Sequence, residues 1–308
     1  MEKREVQNVI SALTQRSTDY RRSCSGRVRS LFTTEDMKRS KFLQELTAEF
    51  LGSALLVIFG CGSAVTLEPQ LAPTVPPIAI AFGLAVATII WSLGHVSGAQ
   101  INPCVTLTLC LTRKMTLMKC MFYCAIQCVG AIAGAYILYG LTPQDRRGML
   151  GITLVSPRIS LWHGVGVEIL ATFMLTLAIY ATIDSRIATR PPNARITDHP
   201  GSKALTIGFV VTMDIPWAIQ YTGGSMNPAR SLGPVVVMGV WDHHWVFWLG
   251  PILGALAAGV LYETACAVNA SVKKTRACLC GNIFDEYLLD AYELDCITVD
   301  NNVAELKP

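Results

Sequence analysis

The chain has 308 residues, 52% of them hydrophobic and only 15% charged, with a formal net charge of +3. Soluble chains carry about 25% charged residues, so this balance excludes an ordinary soluble domain. The missing charge leaves six apolar runs, separated by polar connections and flanked by two polar tails.

Residues 1–42 hold ten basic and five acidic side chains and nothing resembling a cleavable signal peptide. They read as a basic arm, either solvated or touching anionic lipid. The six runs then fall near 44–66, 77–96, 120–140, 162–183, 204–222 and 244–266, with no Lys or Arg in their cores. Each has roughly the 20 residues needed to cross about 30 Å of hydrocarbon at about 1.5 Å per residue. The expected fold is an all-α membrane protein with six transmembrane helices.

Glu49 lies inside the first run and Glu168 inside the fourth, so the halves repeat. Three spans per half is an odd number, and the second copy is therefore inserted upside down relative to the first. The expected boundaries are a tail over 1–42, a channel-like domain over 43–267 (repeats about 43–140 and 162–267), and a tail over 268–308. Basic residues in the N-terminal arm, in the 184–203 connection (Arg186, Arg190, Arg195, Lys203) and after the last span (Lys273, Lys274, Arg276) mark one side as cytoplasmic. Both termini are expected there, in the cell membrane. Gly130-x-x-x-Gly134 and Gly250-x-x-x-Gly254 are spaced for close helix contact. Cys61, Cys110, Cys120, Cys124, Cys128 and Cys266 lie in or beside spans as small packing residues, while Cys278 and Cys280 are candidates for palmitoylation.

Behind the second span stands His95-Val-Ser-Gly-Ala-Gln-Ile-Asn-Pro-Cys104, and behind the fifth stands Tyr221-Thr-Gly-Gly-Ser-Met-Asn-Pro-Ala-Arg230. Asn before Pro starts a helix, because Asn caps and Pro gives up an N–H that would be orphaned anyway. Asn102-Pro103-Cys104 and Asn227-Pro228-Ala229 thus each open a short re-entrant half-helix. Non-helical backbone at membrane depth is tolerated only where protein buries it or water bathes it. Two inverted units of this kind, meeting at the midplane, would aim two positive helix ends and two asparagine amides at one passing solute.

With Ala48-Glu-Phe-Leu-Gly52, Ser97-Gly-Ala-Gln-Ile-Asn-Pro103 and Gly223-Gly-Ser-Met-Asn-Pro-Ala-Arg-Ser-Leu-Gly-Pro234, the chain resembles the aquaporins of the major intrinsic protein family over about residues 42–267. The resemblance implies a homotetramer with one pore per subunit, excluding protons and ions. It places a selectivity filter on Phe82, Ile215, Gly224 and Arg230, and loop support on Glu49 and Glu168. His95 either lines the inner mouth, as in the family, or packs as a lone histidine. Arg230 is also a candidate on its own residue type, since a guanidinium beside a membrane pore must face water or carbonyls.

Three departures from the family pattern, at four positions, stand out. Cys104 stands where Ala is usual, as a packing residue or a mercurial target. Ile215 replaces a His and Gly224 often holds a Cys, which leaves a wider and more apolar ring beside one Arg. Asp214, before Ile215 and Pro216, either braces a kink in the fifth span or adds charge near the filter. Ser231 and Phe247-Trp248 point toward the water branch. The expected activity is therefore passive passage of water together with small uncharged solutes such as glycerol or urea. The alternative is a membrane structural or junction protein on the same fold. No HExxH, GxSxG or Cys/His ligand spacing is present, so no enzyme chemistry, cofactor or metal is expected. The partners are water, neutral solutes and the bilayer, with no nucleic acid.

Overall fold

The computed structural model describes residues 41–68, 70, 72–184, 203–267 and 270. The basic arm, Cys278, Cys280 and the acidic C-terminal stretch lie outside the described residues. Helix α1 spans Phe42–Leu56 and runs on as a wider π-helical turn, Val57–Cys61; α2 is Val75–Ser97, α3 Pro103–Leu111 and α4 Leu117–Leu141. The second half repeats this with α5 Leu161–Ile183, α6 Lys203–Thr222, α7 Pro228–Met238 and α8 Val246–Leu261, which also ends in a π-helical turn, Tyr262–Cys266.

Local chemistry explains the boundaries. Thr116 and Ser160 cap α4 and α5 through side-chain oxygens that accept from Lys119 and His163 backbone N–H groups. Pro stands in the first turn of α2, α3 and α7. Gly98 and Gly239, at φ 91° and 72°, close α2 and α7 in the left-handed region that Gly enters freely. Five helices are long and apolar enough to cross a membrane, from 20 to 25 residues each. The sixth long helix, α6, has 20 residues but includes Lys203, Asp214 and Gln220, and it falls outside that set. Pro216 lies within α6 without ending it.

The packing shows the internal repeat. α1 lies against α4 as α5 lies against α8; α4 holds α7 as α8 holds α3; and α2 meets α6 between the halves. Two glycines permit the closest approaches. A Cβ on Gly130 would collide with the carbonyl of Phe50, and one on Gly254 with the carbonyl of Ile169, the residues that come directly after Glu49 and Glu168. Polarity is reversed relative to a soluble protein. Trp91, Leu170 and Phe209 are 72%, 61% and 65% exposed, whereas Glu49, Glu168, Gln127, Thr106 and Thr172 are fully buried. Apolar outward faces with polar groups inside are what lipid requires of a bundle.

Candidate functional site

The two loops that lead into α3 and α7 have the same backbone. Gly98, Ala99 and Ile101 have φ of 91°, 44° and 44°, and Gly223, Gly224 and Met226, 125 positions on, have 81°, 66° and 53°. Asn102 and Asn227 then both return to φ −153° before their Pro. Ala, Met and above all β-branched Ile are strained at positive φ, by about 1–3 kcal/mol each, and such residues persist only where surroundings hold them.

The surroundings here are two carboxylates. Glu49 Oε1 accepts from Ser97 Oγ at 2.6 Å and from Gln100 N at 2.9 Å; its Oε2 accepts from Ile101 N at 2.7 Å and Gln127 Nε2 at 2.8 Å. Glu168 accepts from Ser225 N at 3.0 Å and Met226 N at 2.8 Å. A buried carboxylate costs several kcal/mol unless its lone pairs are used, and here backbone donors exposed by the strained loops use them.

Across the midline the halves are tied to each other. Asn102 Nδ2 donates to Met226 O at 2.8 Å, and Asn227 Nδ2 donates to Ile101 O at 2.7 Å. Each amide oxygen caps its own half-helix, Asn102 Oδ1 on Cys104 N at 3.0 Å and Asn227 Oδ1 on Ala229 N at 3.0 Å and Arg230 N at 3.3 Å. An amide NH₂ has two hydrogens, so each Asn has one left for the cavity that both line. The sequence suggests amides directed wholly at the solute. The structure commits one hydrogen of each to the opposite loop.

That cavity has a volume of about 340 Å³. Phe82, Val86, Ile90 and Gly94 on α2 with its cap Gly98, and Lys203, Ile207, Val211 and Ile215 on α6, form two of its walls at four-residue spacing. The other side carries the loop backbone and both asparagines. All four filter candidates line the cavity. Arg230 is 5% exposed, its Nη1 donates to Gly151 O at 2.7 Å, and its Cζ lies 4.8 Å from the Phe82 ring centroid. A Cβ on Gly224 would meet Ile215 Cγ1 at 3.8 Å, so those two are neighbours as well. Arg230 itself lines the cavity, while its Nε is buried without a hydrogen-bond partner.

Three candidates sit elsewhere. His95 is exposed and does not line the cavity, because the lining face of α2 runs through Gly94 and Gly98 instead. Cys104 is fully buried and also off the lining. Its thiol is one of seven free cysteines among the described residues. Asp214 is 5% exposed, is not among the residues lining the cavity, and leaves Oδ2 without a hydrogen-bond partner.

Other functional residues carry no signal in the sequence. Gly151, which anchors Arg230, sits in a connection with no motif. Gln127 bridges Glu49 to Thr106 Oγ1 at 2.9 Å, and Ser231 joins Ser225 Oγ at 2.6 Å to Thr153 Oγ1 at 2.8 Å. The four-residue stripes on α2 and α6 are readable in principle, but a membrane helix is apolar on every face and hides a lining stripe.

A bundle of membrane-length helices, with two opposed half-helices meeting beside a lined cavity, defines a channel-forming membrane protein. Residues 36–262 match the family described as Major intrinsic protein, and the chain belongs to that family. It is 44% identical to human Aquaporin-4 over 236 residues, covering 76% of this chain and 70% of that one. It is 43% identical to human Aquaporin-2 over 228 residues, or 74% and 80%. The fold is also that of the X-ray structure of the aquaglyceroporin from Plasmodium falciparum, at TM-score 0.64 and 24% identity, covering 73% of this chain and 96% of that one. The chain is thus a passive channel of the water and small-solute kind, and not an enzyme.

Proposed function

We propose that the pore passes water together with small uncharged solutes such as glycerol or urea, and rejects protons and ions. The observation that carries this is the crossed pair Asn102–Met226 and Asn227–Ile101, which fixes both amides at the cavity with one donor each to spare. A water accepting from both donors points its own hydrogens away in both directions, which interrupts a proton wire. The abutting N-terminal ends of α3 and α7 oppose cations at the same place. Along the rest of the path one wall is apolar, so a file of solute finds partners on one side only and is held weakly enough to leave.

Phe82, Ile215, Gly224 and Arg230 serve as the selectivity filter in this proposal. Arg230, held by Gly151, donates to solute oxygens, and Ile215 with Phe82 accommodates carbon. Glu49 and Glu168 act as loop supports. Residues 43–267 form the channel domain between two tails. The basic residues flanking the spans support a cell-membrane orientation with both termini cytoplasmic, and the family supports a homotetramer with a pore in each subunit. The test is stopped-flow light scattering on vesicles holding the purified protein, with water, glycerol and urea side by side. All three should cross faster than in empty vesicles at unchanged proton conductance. Vesicles that pass water but neither organic solute would remove the solute half of the proposal.

A further inference from the structure

Behind the filter lies the π-helical turn Val57–Cys61 that ends α1. π-helical turns disrupt the ordinary helix ladder and recur at functional sites. Here the altered ladder is completed by Ser63, whose Oγ donates to Gly60 O at 2.6 Å. Two consecutive residues of the turn are buried; one touches a filter residue and the other touches the glycine whose carbonyl holds Arg230.

Gly60 faces the Phe82 ring. The three nearest atoms to a Cβ built on Gly60 all belong to that ring, with Cδ1 at 2.6 Å and Cζ at 2.9 Å. Real Cβ atoms do not approach so closely, so any side chain at position 60 must displace the ring. Phe82 is 4% exposed, lines the cavity and carries the Arg230 guanidinium at 4.8 Å from its centroid. Pushed from Gly60, the ring has the lumen to move into. Cys61, fully buried, lies against Gly151: a Cβ on Gly151, at φ 72°, would sit 2.7 Å from Cys61 Cβ and 3.0 Å from its Cα. The carbonyl of that same Gly151 holds Arg230 Nη1. Neither Gly60 nor Cys61 lines the cavity.

We propose that the turn Val57–Cys61 is a specificity determinant of the channel. The missing side chain of Gly60 sets how far the Phe82 ring withdraws from the constriction, and Cys61, through Gly151, sets where Arg230 stands. Both act as positioning residues. The proposal rests on the filter assigned above and deepens it, since the width of the opening is set from behind the four residues that bound it.

The experiment compares glycerol and water permeability in proteoliposomes for wild type, Gly60→Ala, Phe82→Leu and the double variant. Gly60→Ala should lower the glycerol-to-water ratio about tenfold, the factor that about 1.4 kcal/mol of added barrier produces. On the Phe82→Leu background, where the colliding ring is gone, the same change should move the ratio less than about twofold, as expected for a contact confined to one pair. An unchanged ratio in Gly60→Ala, or a tenfold loss that persists in the double variant, overturns the proposal. If Gly60→Ala yields no monodisperse protein, recovery in the double variant supports the contact and failure in both overturns it. Wild-type vesicles that pass water alone would sink the solute reading by itself. The turn is then tested on water flux, which Gly60→Ala must slow and Phe82→Leu must restore.

Discussion

The two halves share a backbone and differ in how they hold it. Positive φ falls at matched positions 98, 99, 101 and 223, 224, 226, and both asparagines reach across to the residue before the other. Glu49, however, accepts four hydrogen bonds and is joined through Gln127 to Thr106. Glu168 takes two backbone donors from its loop and faces the Thr222 side chain, and the loop is further braced by hydroxyl contacts among Ser225, Ser231 and Thr153. The position that holds Arg230 in the second half holds Val105 in the first. The shared geometry is what two opposed helix starts need in order to meet. The differences separate the halves, with one built mainly as a fixed seat and the other placing a guanidinium on the cavity lining.

The sharpest way to break this comparison is to neutralise each carboxylate. Glu49→Gln turns an acceptor of four bonds into a group that faces donors with a donor. It should destabilise the protein by about 3 kcal/mol or more, since bonds to a charged group contribute about 1.5–3 kcal/mol each. Glu168→Gln should cost visibly less. Thermal midpoints in detergent decide, and equal losses would erase the asymmetry.

Next in size, Arg230→Val gives the second half the side chain of the first. It replaces a long side chain on the lining with a short one, and the wider, more apolar opening should raise the glycerol-to-water ratio about tenfold, with about 1.4 kcal/mol per factor of ten. Vesicle swelling measures this, and an unchanged ratio would take the Arg out of selectivity.

A third effect belongs to the second half alone. His244 precedes α8 and accepts from Trp248 Nε1 at 3.1 Å. Burial lowers its pKa below the usual 6.5. The folded state thus resists protonation that the unfolded chain accepts. Its contribution is intact above pH 6.5 and shrinks as the pH falls through and below that value. Melting points measured from about pH 7.5 to about pH 5 should decline less in His244→Phe than in wild type.

The smallest effect is expected from Cys104→Ala, which makes the first motif read like the second. Cys104 is buried and off the lining, so water permeability should change by less than about twofold, in line with a small-for-small exchange in a packed site. Inhibition by a membrane-impermeant mercurial should be the same in both proteins.

The span boundaries are legible in the sequence to within about five residues, because lipid leaves helices few ways to end. The Asn-Pro pairs and the two buried glutamates are legible too, since chemistry that costly in a membrane stands out. Gly151 and Gln127 are not, because their roles come from contacts between distant segments that no spacing encodes. The family pattern points His95 toward the mouth, yet one step along α2 turns a side chain about 100° off the lining face. Asp214 draws attention by its charge, while the residues beside it that line the path are ordinary aliphatics.

The crossed hydrogen bonds of the two asparagine amides also bear on how the chain is made. Each joins residues 124 or 126 positions apart, and the ribosome delivers the earlier member first. At about 5–20 residues per second, the loop at Ile101 waits roughly 6–25 s for Asn227 to emerge. Through that interval the nascent first half holds a strained turn whose last tie has not yet been synthesised. Chains halted before residue 227 should therefore expose Ile101 and Asn102 to hydrogen exchange that finished chains resist, and closing the channel becomes one of the last events of its biosynthesis.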